Sequence, residues 1–174
     1  MKKRHDGGSA VIRDVILGGQ DGLVNVLGIV LAVATATQSR YIVLISGLAA
    51  TFAESFSMAA VAYTSAKAGK EFYLMKNVHF EEFAHPIRDA LVVGLAAIVG
   101  SFVPLLPFIF VPVGAGIWFA VVFSVLALFI TGALKARFTA VNPWKSGFEM
   151  MLVGMAAAIA GYVIGYFLGV LPLA

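Results

Sequence analysis

Cysteine is absent from the 174 residues of the chain. Its absence excludes disulfides and thiolate metal sites, and it leaves methionine as the only sulfur available to a soft or borderline metal. Charge is scarce: Asp, Glu, Lys and Arg together make up 12% of the residues, against 61% hydrophobic, with a mean hydropathy of +0.97. That balance lies outside the range of ordinary soluble domains and reads as a membrane protein. Histidine is rarer still, with three residues, all in the N-terminus or a loop. No nucleophile inside an apolar run can therefore pair with a histidine, which argues against an enzyme. No cofactor is expected. The basic start, MKKRHDGGSAVIRD (1–14), is followed by no A-x-A-like cleavage site, so the first apolar run reads as a retained helix.

What the chain does have is long apolar runs. A hydrocarbon core of roughly 30 Å needs about 20 such residues per helix. Five stretches qualify, at 15–36, 41–66, 88–108, 113–135 and 148–171. The expected fold is all-α, a single transmembrane domain of five helices with its termini on opposite sides. Pro104, Pro107 and Pro112 mark the turn between the third and fourth stretches, and Asn142-Pro143 the turn before the fifth. Eleven of the twelve Lys and Arg, including Lys2, Arg13, Lys67, Arg88, Lys135 and Lys145, fall on one side, and only Arg40 on the other. The positive-inside rule makes the N-terminus, the 67–87 loop and the 136–147 loop cytoplasmic, with the C-terminus outside or lumenal. The basic residues thus serve topology and do not argue for nucleic-acid binding.

Two of the nine acidic residues, Asp21 and Glu54, fall inside predicted spans. An ionised side chain at bilayer depth is costly unless it faces a bundle interior or a water-filled cavity, and by default it marks an ion path or proton relay. At 100° per residue, Asp14, Gly18, Asp21, Asn25, Gly28, Ala32 and Thr35 form one narrow stripe on the first helix. On the second, Gly47, Thr51, Glu54, Met58, Val61 and Ser65 share a face, with Glu54 and Met58 one turn apart. At about 1.5 Å per residue, Asp21 lies roughly 10 Å in from Asp14, and Met58 about 12 Å in from the end near residue 66. These two could share a layer, with Asn25 and Glu54 at roughly 16 to 18 Å forming a second. Carboxylate and amide oxygens with one thioether suit a borderline cation such as Fe²⁺ or Mn²⁺ better than Na⁺. The plainer alternative is that the carboxylates are protonated, or hydrogen-bonded across helices, and hold the bundle together.

At this point the chain resembles the vacuolar iron transporter family. The resemblance rests on RDVILGGQDGLVNVLG (13–28), AESFSMAAVAYTSAKA (53–68), HPIRDALVVGLAAIVGSFVPLLPF (85–108) and ALKARFTAVNPWKSGFEMMLVG (133–154), four blocks in order. It implies five transmembrane helices per subunit in a homodimer, with a metal path between subunits lined by the first two helices. The aspartate of the family's D-G-L motif falls on Asp21, and the glutamate and methionine of its A-E-x-x-S-M motif fall on Glu54 and Met58. Many members continue S-M-x-x-G-E, where this chain has Ala62, so one carboxylate of the cytoplasmic mouth is missing. Plant-type members carry a glutamate-rich cytoplasmic metal-binding domain between the second and third helices, where only about 20 residues remain here.

That loop still holds Glu71, His79, Glu81, Glu82 and His85, which read either as a vestigial metal-collecting site or as a solvated linker. Glu149, opening the fifth helix, complements the positive helix N-terminus and is a further candidate for the cytoplasmic entrance. Gly161, Gly165 and Gly169 recur every four residues, the pattern of close helix packing, and Met151, Met155 and Tyr162 beside them read as core. The expected function is export of Fe²⁺, with Mn²⁺ second, from the cytosol in exchange for protons. Asp21, Glu54, Met58 and Asn25 would hold the metal, and Asp21 and Glu54 would also carry the proton. The competing readings are a passive divalent-metal channel and a scaffold whose polar seams serve only assembly. The expected partners are the metal, the bilayer and a second copy of the chain. The expected location is the cell membrane of a prokaryote or the vacuolar membrane of a eukaryote.

Overall fold

The computed structural model describes residues 7–75, 85–139 and 141–170. It consists of α1 (Gly7–Thr37), α2 (Arg40–Met75), α3 (Pro86–Leu105), α4 (Pro107–Phe110), α5 (Val113–Thr139) and α6 (Pro143–Val170), with no strand among the described residues. All but the single-turn α4 are long and apolar enough to cross a membrane, so the chain is an integral multi-pass membrane protein.

Each boundary has a local cause. α1 ends at Gln38, whose φ of 52° places it in the left-handed region and whose amide still donates to the Ala34 carbonyl at 3.1 Å. That turns the chain in two residues. At the start of α6 the Asn142 carboxamide accepts from the Trp144 amide at 2.9 Å, with Pro143 opening the helix. The Leu106 amide still donates to Phe102 at 2.9 Å, but the proline at 107 supplies no amide and the chain restarts as α4. Phe108 of α4 is fully buried and joins Val26, Val30, Val43 and Leu105 in the largest apolar cluster.

Two boundaries differ from expectation. α2 continues to Met75, so Lys67, Lys70 and Glu71, read as loop, are helical, and Lys67 and Glu71 make an i,i+4 pair at 3.9 Å. α6 begins at Pro143, so Glu149 lies in its second turn, exposed to solvent. The field of a helix N-terminus fades within the first turn, and the helix-dipole account of Glu149 does not hold.

Inside a bilayer the hydrophobic effect does not drive helices together, and close backbone approach at small residues takes its place. α1 is the central element, in contact with α2, α3, α5 and α6. A Cβ on Gly18 would strike the Val93 carbonyl, and one on Gly22 the Ala97 carbonyl, so α1 and α3 run parallel and nearly touching. Gly161 and Gly165 meet the Gly28 and Ala32 carbonyls in the same way, seating α6 parallel to α1. Gly132 meets Ser146 and Gly154 meets Leu128, so α5 runs antiparallel to α6. The expected small-residue packing of α6 is therefore present, directed at α1. Met155 and Tyr162, read as core, face outward, and the buried methionine of this helix is Met150.

Candidate functional site

The polar stripe of α1 does not face one path. Gly18 serves α3, and Gly28 and Ala32 serve α6. Between them, Asp21 and Asn25 meet α2. The Asn25 amide donates to Asp21 Oδ2 at 3.3 Å, an i,i+4 bond along the helix, and the Glu54 carboxyl of α2 lies beside both side chains. All three are half-buried. Beside them a cleft of about 290 Å³ is lined by Asn25, Val26, Ile29, Ala50, Ala53, Glu54 and Ser57.

Two carboxylates this close repel unless a cation lies between them, and either a proton or a metal ion can fill that role. The Asn25 amide holds one Asp21 oxygen and leaves the other for such a ligand. Neighbouring α2 residues fix the geometry. Thr51, one turn before Glu54, is fully buried and donates to the Gly47 carbonyl at 2.8 Å. Ser55, the next residue, donates to the Gly94 carbonyl of α3 at 2.8 Å. That bond ties α2 to α3 at the level of the carboxylates. Nothing in the periodicity of α2 marks Ser55, because its partner is a backbone carbonyl 39 positions away.

Met58 lies one turn from Glu54 and lines a separate cavity of about 190 Å³ between α1, α2 and α3, with Asp14, Ala62 and Asp89. Asp21, Asn25 and Glu54 lie together, and Met58 lines the adjoining cavity. Glu71 sits on the exposed end of α2, paired with Lys67. Glu149 is exposed on α6, and His85 is exposed at the start of α3. His79, Glu81 and Glu82 lie outside the described residues. Among the described residues no three of His, Asp and Glu come together. A metal at Asp21 and Glu54 would complete its shell from Asn25, water, the Met58 thioether or another chain.

These features define a class: a multi-pass helical membrane protein whose first two helices bring together a pair of intramembrane carboxylates. The profile of the VIT family matches residues 12–81 and 74–166. The chain belongs to that family. It is 24% identical to vacuolar iron transporter 1 of Arabidopsis thaliana over 219 aligned positions, covering 93% of this chain and 88% of the relative. A vacuolar iron transporter 1 of Oryza sativa subsp. japonica is 25% identical, with 92% and 86% covered. An uncharacterized protein of Methanocaldococcus jannaschii is 25% identical over 175 positions, with 90% of each chain covered. The plant alignment, at 219 positions, is much longer than this chain of 174, whereas the archaeal one, at 175, is about its length, so the plant relatives carry additional internal residues.

Proposed function

We propose that this protein exports a divalent transition metal from the cytosol, Fe²⁺ first and Mn²⁺ second, in exchange for protons. The observation that carries the reading is the convergence of Asp21, Asn25 and Glu54 from two helices beside an open cleft at membrane depth. Similarity to proteins named vacuolar iron transporter supports iron as the cargo. Asp21 and Glu54 exchange one cation for another: metal arriving from the cytosol displaces protons, and protons from the far side displace metal. Asn25 supplies an amide oxygen or holds Asp21 in place, and Met58 favours a transition metal over Ca²⁺ or Mg²⁺. The basic ends of the helices face the cytoplasm by the positive-inside rule. Two subunits face each other across α1 and α2, which supplies the donors that one chain lacks. The membrane is the vacuolar one if the cell has vacuoles, and otherwise the cell membrane.

The test is Fe²⁺ flux in proteoliposomes with and without an imposed pH gradient. Transport should accelerate when the compartment receiving metal is acidic and slow when the gradient is reversed. Equal flux under both gradients leaves a passive channel, and no divalent-metal flux in the wild type removes the transporter reading. Native mass measurement in detergent should give the mass of two chains.

A further inference from the structure

The tripeptide Ile-Arg-Asp occurs twice, at 12–14 near the start of α1 and at 87–89 near the start of α3. Both copies have the same local geometry. Arg13 Nε and Nη2 donate to Asp14 Oδ1 at 3.2 and 3.0 Å, and Arg88 Nε and Nη2 donate to Asp89 Oδ1 at 3.0 and 2.8 Å. The exposures are opposite within each pair: the Arg13 and Arg88 side chains are 77% and 36% accessible, those of Asp14 and Asp89 5% and 12%. Because α1 and α3 run parallel and touch at Gly18 and Val93, the two aspartates reach the same level of the bundle. They enter one cavity of about 190 Å³, closed on the α2 side by Met58, Ala62 and Ser65.

Asp14 Oδ2 is buried and has no hydrogen-bond partner. A carboxylate oxygen in that condition carries the full desolvation penalty unless a ligand meets it. A water occupies about 30 Å³, so the cavity has room for a cation with several waters. Ala62 is small, and it stands where the family resemblance expects a glutamate. In this chain Asp89 brings a carboxylate into the same space from α3.

We propose that this cavity is a second divalent-cation site, with Asp14 and Asp89 as its anionic ligands and Met58 as its inner wall toward Asp21 and Glu54. The inference rests on the transporter reading for its choice of a divalent transition metal. Each arginine engages only one oxygen of its aspartate, so the pairs keep the empty site near neutral while leaving Asp14 Oδ2 for an ion. Seven residues of α1 separate Asp14 from Asp21, about 10 Å, so the two sites are successive stations along one helix. Two carboxylates, a hydroxyl and a thioether make a loose site, suited to passing an ion onward.

The test is Mn²⁺ binding to the purified full-length protein in detergent, with free Mn²⁺ followed by electron paramagnetic resonance. Wild type should bind Mn²⁺ at two classes of site. Asp14→Asn with Asp89→Asn should weaken one class about 10- to 100-fold and leave the other. Asp21→Asn with Glu54→Gln should do the reverse. Ala62→Leu, which fills the cavity and keeps all four charged groups, should also weaken the first class, and it serves if the double aspartate variant fails to fold. An unchanged isotherm in Ala62→Leu or in a folded double aspartate variant overturns the second site. Loss of the only binding seen through Asp21→Asn and Glu54→Gln alone also overturns it and leaves the transporter reading standing. No Mn²⁺ binding to wild type at any concentration counts against both.

Discussion

At the scale of single residues, Asp21 and Glu54 lie beside each other, whereas among the other described acidic residues Asp14 and Asp89 pair with arginines, Glu71 pairs with a lysine and Glu149 is exposed. Asp21→Asn and Glu54→Gln keep shape and hydrogen-bonding capacity while removing charge. Each should lower Fe²⁺ flux by about tenfold or more, equivalent to about 1.4 kcal/mol, without loss of folded protein. Flux in liposomes beside thermal unfolding in detergent separates the two effects. Normal flux in both variants would remove the carboxylate pair from the mechanism. Ser55→Ala should behave differently. It deletes the bond to the Gly94 carbonyl and should cost roughly 1 kcal/mol of stability, read as a lowered unfolding midpoint. Asp21, Asn25 and Glu54 were legible in the sequence because polar groups stand out in an apolar run. Ser55, Asp14 and Asp89 do not stand out in this way. A serine beside a glutamate is ordinary, and an Arg-Asp pair at a helix end looks like a solvated boundary until its burial is known.

At the scale of elements, glycines decide how closely α1 is approached. Gly161 has the Gly28 backbone where its Cβ would be, and backbone cannot move aside as a flexible side chain can. Gly161→Leu should therefore destabilise the bundle by about 1–3 kcal/mol or block its assembly. Gly69, also in a helix, has nothing within 4 Å of a Cβ. Gly69→Ala should stabilise by roughly 0.5–1 kcal/mol through helix propensity alone. Unfolding midpoints of the two variants should move in opposite directions, and a shared direction would contradict the packing described for α6. The four-residue glycine spacing was visible along the chain, but its partner was not. The same spacing fits contact with a neighbouring helix or with a second subunit, and only the approach of Gly28 and Ala32 selects α1. α2 shows the converse difficulty: charge and polarity at residues 67–75 suggested a loop, although an exposed helix extending beyond the membrane carries the same composition.

At the scale of the whole molecule, helix contacts make α1, α3 and α6 parallel and α2 and α5 antiparallel to them, and the proposal that the Lys- and Arg-rich end is cytoplasmic can be tested directly. The chain lacks cysteine, so single cysteines can report topology without background. Gly69→Cys and Gly114→Cys sit in open positions near opposite ends of the bundle. In right-side-out vesicles an impermeant thiol reagent should label position 114 and spare position 69, and the reverse pattern would invert the assigned orientation. The sequence by itself determined that the protein is membrane-embedded, that five helices span the bilayer, and that Asp21 and Glu54 lie at depth. Hydropathy and charge act locally along the chain, so those properties can be read without knowing which helices touch. Only the tertiary structure decided that Asp21 meets Glu54, that α6 serves α1, and that Asp14 and Asp89 enter one cavity with Met58. Those outcomes depend on rotation and contact between helices distant in sequence, set by backbone approach at small residues that no single helix encodes alone.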